Sequence, residues 1–151
     1  MEKSLNKLAI GGDHAGYLIK EKVKGHLLSL GYDVTDYGTN SEASVDYSDY
    51  AHLVAEAVDR GDYPLGILVC GSGNGVNMAA NKHQSIRSAL CWIPEIARLA
   101  RTHNDANILA IPGRFVDENV AIEIVDTFLS HSFEGGRHCN RVNKIPLNPT
   151  K

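Results

Sequence analysis

No stretch of this chain approaches eighteen apolar residues, its net charge is only -3, its aromatic content is 7%, and 151 residues include just three cysteines and one tryptophan. Each scarcity excludes something. Without a long apolar run there is no candidate membrane-spanning helix. The first residues, Met1-Glu2-Lys3-Ser4, lead into a short strand-like run broken at Gly11-Gly12 and hold no apolar core of an export signal. A slight acidic balance leaves no nucleic-acid footprint. The odd set Cys70, Cys91 and Cys139, with no C-x-x-C spacing, fits a reducing cytoplasm better than a disulfide framework or a zinc site. What is present is ordinary for a soluble globular protein: 43% hydrophobic and 22% charged residues, in a length that makes one domain over 1–151 with a core needing no staples.

Short apolar runs alternate with amphipathic stretches along the whole chain. Leu8–Ile10, Tyr32–Tyr37, Gly66–Cys70, Ile86–Trp92 and Asn107–Ile111 read as strands. Helices are expected over Tyr17–Leu30, closed by Gly31, and over Ser48–Arg60, Val76–Lys82, Pro94–His103 and Asp117–His131. This β-α repetition predicts a doubly wound, Rossmann-like three-layer α/β/α sandwich on a five-stranded parallel sheet. The tail beyond Phe133 predicts a short basic helix after a glycine hinge, with a loose end through Pro146 and Pro149.

Ligands of such sheets sit beyond the carboxyl ends of the strands. Polar chemistry gathers at three of those ends: Gly11-Gly12-Asp13-His14-Ala15-Gly16, Cys70 with Gly71-Ser72-Gly73-Asn74-Gly75, and Pro112-Gly113-Arg114. Asp13 stands where a dinucleotide fingerprint needs glycine, and Val76 stands at the third glycine position of the second turn, which also lacks a P-loop lysine. Both argue against NAD or ATP. A thiol facing a glycine turn that opens a helix can act as a base beside an oxyanion cradle, with Ser72 as proton shuttle; a buried cysteine before an ordinary βα turn is the plain alternative. Arg137 and Arg141, four apart with His138 beside them, suit a phosphate better than each other. His14, with Asp13 to set its tautomer, and His103, in the loop before the fifth strand, are acid-base candidates. Asp46, Asp49 and His52 have a metal-compatible spacing with nothing else behind it, and no metal is expected.

Taken together, Gly11–Gly16, Asp46-Tyr47, Cys70–Gly75 with Ala79-Ala80-Asn81-Lys82, His103-Asn104, and Glu134-Gly135-Gly136-Arg137-His138-x-x-Arg141 closely resemble type B ribose-5-phosphate isomerase. The resemblance spans nearly the whole chain. It implies a cofactor-free cytoplasmic enzyme, a homodimer or dimer of dimers, interconverting D-ribose 5-phosphate and D-ribulose 5-phosphate, with the tail from about 133 against the partner subunit. It also implies Cys70 as base, Ser72 as proton shuttle, and the amides of Gly71, Gly73, Asn74 and Gly75 around the enediolate. His103 would open the sugar ring, Asp13 and Asn104 would bind hydroxyls, and His14, Arg114, Arg137 and Arg141 would hold the phosphate. A branch of the family that lacks the cysteine has glutamate directly after the glycine turn; with Val76 there and Cys70 kept, this chain resembles the cysteine branch. A six-carbon sugar phosphate (allose or galactose 6-phosphate) is the alternative substrate, and a non-catalytic sugar-phosphate-binding module the alternative function.

Overall fold

In the computed structural model, which describes residues 6–148, five parallel strands are ordered β2-β1-β3-β5-β4. In chain order they are β1 (Lys7–Gly12), β2 (Asp33–Asp36), β3 (Leu65–Cys70), β4 (Ser88–Leu90) and β5 (Ile108–Pro112). The helices are α1 (Tyr17–Ser29), α2 (Tyr47–Asp59), α3 (Asn74–Ala80), α4 (Pro94–Asn104), α5 (Glu118–Leu129) and α6 (His138–Asn143). Met1-Glu2-Lys3-Ser4 and Pro149 lie outside the described residues.

The two-residue period of a strand sorts the core into two layers. Leu8, Ile10, Ile67, Val69, Leu109 and Ile111 meet Val23 and Leu27 of α1, Ala97 of α4 and Ile124 and Phe128 of α5. Ala9, Leu68, Cys70, Ile108 and Ala110 meet Val54 and Val58 of α2 and Val76 of α3. The Cys70 side chain thus belongs to the α2–α3 face. Because α1 and α3 leave on opposite faces, the loops after β1 and β3 diverge and open a crevice between neighbouring strands.

Glycine makes that crevice narrow. A methyl group at Gly12 or Gly16 would stand 2.2 or 2.3 Å from the Val69 carbonyl oxygen, so the β1–α1 turn can lie against β3 only without side chains there. Gly31, at φ +88°, closes α1 as expected, its N–H donating to the Leu28 carbonyl.

Several boundaries differ from the sequence reading. The strand over Tyr32–Tyr37 contracts to Asp33–Asp36, and that over Ile86–Trp92 to Ser88–Leu90. The Asn81 amide donates to the Ser88 carbonyl and accepts the Ser88 N–H, closing the outer edge of β4 with a side chain instead of a further strand. Helix α3 begins at Asn74, two residues before Val76, because Gly73 at φ +75° completes the turn by itself. Helix α4 runs through Asn104, so His103 and Asn104 are helical and not in a loop; Asp105, at φ +48°, ends the helix between Arg87 and Arg101. The basic helix expected in the tail is α6.

Candidate active site

At the crevice between β1 and β3, Asp13, His14, Ala15, Tyr47, Cys70, Gly71, Ser72, Gly75, Arg114 and Phe115 enclose a cleft of about 350 Å³. Five elements deliver these groups. Cys70 is the last residue of β3 and only 4% exposed, and its carbonyl is fixed by the Gly113 N–H at 2.8 Å. The N–H of Arg114 donates to the Gly71 carbonyl, which brings the guanidinium stem over Gly71: a methyl there would meet Arg114 Cδ at 3.3 Å.

The glycine turn presents donors. The first N–H groups of any helix lack intrahelical acceptors. In α3 the Asn74 N–H is taken by Ser72 Oγ at 3.2 Å, and those of Gly75 and Val76 have no acceptor among the described residues. Gly75 is also the seat of an aromatic wall, because a methyl on it would come 2.6 Å from Tyr47 Cε2.

On the β1 side, Asp13 is 7% exposed and accepts the Gly16 N–H through Oδ1, leaving Oδ2 for a ligand. His14 Nδ1 accepts the Val45 N–H at 3.1 Å. That bond places the ring proton on Nε2, so the tautomer is set by the loop entering α2 and not by Asp13 as the sequence suggested. The imidazole keeps a donor for an anion.

Two of the cysteines are not in the cleft. Burial pushes the Cys91 thiol up to about 12, and its Sγ donates to the Ala89 carbonyl, a packed structural residue. Cys139 belongs to α6, where its sulfur lies against Gly135.

His103, Asn104, Arg137 and Arg141 are placed elsewhere. Helix α4 runs back against the strand direction, so its last turn sits at the amino edge of the sheet. Cys70 pairs with Pro112 and Gly66 with Ile108, and Asn104 precedes Ile108. At about 3.3 Å per residue, the four steps of β5 put about 13 Å of sheet between the two groups. At that amino edge the rings of His103 and His138 stack with centroids 4.3 Å apart and a 17° tilt. Arg137 caps α6 and Arg141 lies one turn on, both exposed. Burial first, then His103 and the two arginines, hold the His138 proton affinity below the ordinary imidazole value.

Tyr47 and Phe115 were not among the candidate residues. Both are large side chains left partly exposed, Phe115 by 77%, at strand-end loops where apolar surface has no folding role. The Asp46-Tyr47 pair was the legible signal for the first; nothing in the local pattern marked the second.

Comparison with known proteins agrees with this geometry. The profile of the ribose/galactose isomerase family matches residues 8–145. Ribose-5-phosphate isomerase B of Escherichia coli K12 is 45% identical over 141 residues, 93% of this chain and 95% of the relative. The crystal structure of a ribose 5-phosphate isomerase from Thermotoga maritima superposes with a TM-score of 0.91 at 53% identity, covering 93% of this chain and 97% of that one. A ribose-5-phosphate isomerase B from Mycoplasma genitalium, solved with bound ribulose-5-phosphate, gives 0.88 at 45% identity over 92% and 93% of the two chains. With its parallel sheet, its cysteine-bearing cleft and these relatives, the chain belongs to the ribose/galactose isomerase family, among the type B ribose-5-phosphate isomerases.

Proposed function

We propose that this protein interconverts D-ribose 5-phosphate and D-ribulose 5-phosphate, a step of pentose phosphate metabolism, through a cis-enediolate formed at Cys70. The observation that carries the reading is the placement of the Cys70 thiol on the wall of a cleft that also holds Ser72, Asp13, His14 and Arg114. In the open-chain aldose the Cys70 thiolate takes the proton from C2, and the C1 carbonyl becomes an oxyanion. Ser72 Oγ moves a proton between O1 and O2, and the Cys70 thiol then returns its proton to C1 to give the ketose. The charge exists only between substrate and product. The N–H groups along Gly71–Gly75 therefore act where they lower the barrier and not where they merely tighten binding.

Asp13 Oδ2 holds a sugar hydroxyl, and His14 Nε2–H with Arg114 holds phosphate. The remaining parts, His103 for ring opening, Asn104 for a hydroxyl, and Arg137 and Arg141 for phosphate, come from a second copy of the chain. Their position at the opposite edge of the sheet from Cys70 supports this reading. We assign the working form as a homodimer, or a dimer of dimers, with residues from about 133 onward contacting the neighbouring subunit. We read the chain as one unit, and its three free cysteines support a reducing cytoplasm as its location.

The deciding experiment follows ribose 5-phosphate turnover, together with C2-proton exchange in deuterated water, in Cys70→Ala. Loss of both supports the thiol as base, whereas turnover near that of the unaltered protein removes it. Parallel assays with allose and galactose 6-phosphates establish the chain length preferred.

A further inference from the structure

We infer that His103, Glu134 and His138 form a binding site for a divalent d-block cation of the zinc type, and that its occupancy stops isomerisation by withdrawing His103 from the sugar ring. The second half rests on the ring-opening reading of His103. One ligand atom from each of the three residues lies within 4.8 Å of the others. They come from separately anchored places: the last turn of α4, the segment whose Glu134 N–H donates to the Thr102 carbonyl at 3.0 Å, and the first turn of α6.

The histidines of the chain divide by partner. His14 accepts from Val45 N–H, His26 pairs with Asp126, His52 with His83, and His131 with the Thr127 carbonyl. Among the described residues, only the rings of His103 and His138 make no hydrogen bond, although His138 is 7% exposed. Their ring nitrogens, engaged by no protein group among the described residues, remain available to a ligand. The Glu134 carboxylate is likewise in no ion pair among the described residues, while Asp105 nearby is held by Arg87 and Arg101. A neutral imidazole is the ligand form.

Two imidazole nitrogens and one carboxylate are a zinc-type donor set with a fourth position open, whereas calcium and magnesium ask for oxygen throughout. Tetrahedral bonds of about 2.0 Å need ligand atoms about 3.3 Å apart. Rotation of the exposed Glu134 side chain and turning of the stacked rings supply that closure. Arg137 and Arg141, both exposed in the single chain, oppose a cation here, and the Glu134 carboxylate offsets one of them.

The test uses the full-length, metal-free protein with Co²⁺ as spectroscopic probe and Zn²⁺ as inhibitor. One Co²⁺ per chain is expected, with visible bands of a nitrogen-oxygen site and no sulfur charge-transfer band. Binding is unchanged in Cys70→Ser and Cys139→Ser and weakened at least about tenfold in Glu134→Gln and in His138→Gln. Zn²⁺ displaces the probe and inhibits isomerisation with the same affinity, reversibly on chelation. Glu134→Gln isomerises as before but resists Zn²⁺. Absence of stoichiometric binding in an active isomerase overturns the site, as does a thiolate band that disappears with either cysteine, or Zn²⁺ inhibition untouched by Glu134→Gln. Co²⁺ binding as expected in a protein that isomerises no sugar phosphate refutes the isomerase reading and the inhibition with it.

Discussion

Cys70, Cys91 and Cys139 share a side chain and differ in surroundings, and the surroundings decide the chemistry. Cys70 ends a strand at the wall of the cleft; Cys91 is sealed in the core with its thiol pushed up to about 12. At pH 8 the thiolate fraction of Cys91 is on the order of 10⁻⁴. Alkylation of the native protein followed by peptide mass spectrometry should leave Cys91 unmodified until denaturant is added. Removing the Cys70 sulfur should lower kcat by about 10²–10⁴-fold, the range of a lost general base, with unfolding midpoints little changed. Glycine sets the same site from the backbone side. Gly16→Ala would drive a methyl to 2.3 Å from the Val69 carbonyl, so the β1–α1 turn must move off β3. The expected cost is about 3 kcal/mol or more, read as a lower denaturation midpoint.

The elements around the cleft are tied by a buried ionic latch. Lys20 of α1 is completely buried, with Nζ 2.6 Å from Asp36 at the end of β2, and Lys24 reaches the same carboxylate at 2.8 Å. The other Asp36 oxygen accepts the Gly38 N–H; the Gly38 carbonyl in turn accepts the Gly12 N–H, one residue before Asp13. Lys20→Met would leave the buried end of Asp36 with Lys24 alone, a loss of about 3 kcal/mol by the behaviour of broken buried pairs, measurable by chemical denaturation. Burial alone would raise the Asp36 pKa, but the hydrogen bonds from Lys20, Lys24 and the Gly38 N–H outweigh it and hold the carboxyl below its usual 3.8. A folded-state value below the unfolded one contributes stability that is complete above pH 3.8 and is lost as pH falls through the lower folded value. Thermal melts between pH 5 and 2 should therefore show a steeper acid decline in the unaltered protein than in Asp36→Asn, as an order-of-magnitude linkage effect.

At the scale of the molecule, the parallel sheet separates the two halves of the chemistry. The carboxyl edge holds Cys70, Asp13 and His14; the amino edge holds His103, Asn104 and, through α6, Arg137 and Arg141. On the proposed reading these groups meet one substrate only across two subunits, so two inactive variants should complement. Cys70→Ala and His103→Ala, each inactive alone, should regain about a quarter of full activity when co-refolded: half of randomly paired dimers are mixed, and each carries one intact site of two. Mixing without subunit exchange should give none. Recovery absent after verified exchange would place both residues in the same subunit's site.

Much of the fold was legible because periodicity and glycine act locally. The apolar alternation in Leu65–Cys70, the stripe of Ile19, Val23 and Leu27, and the positive-φ glycines Gly31 and Gly73 each declare their structure within a few residues. The amino-acid sequence by itself therefore determined the β-α order, the parallel sheet and the Cys70 turn, and its motifs carried the family. Only tertiary structure decided that Asn81 would replace a strand at the edge of β4, that Val45 would orient His14, and that Tyr47 and Phe115 would wall the cleft. It also decided that His103 would meet His138 while standing a sheet's length from Cys70. These are contacts between residues tens of positions apart, set by how helices pack across a sheet, and no local pattern encodes them.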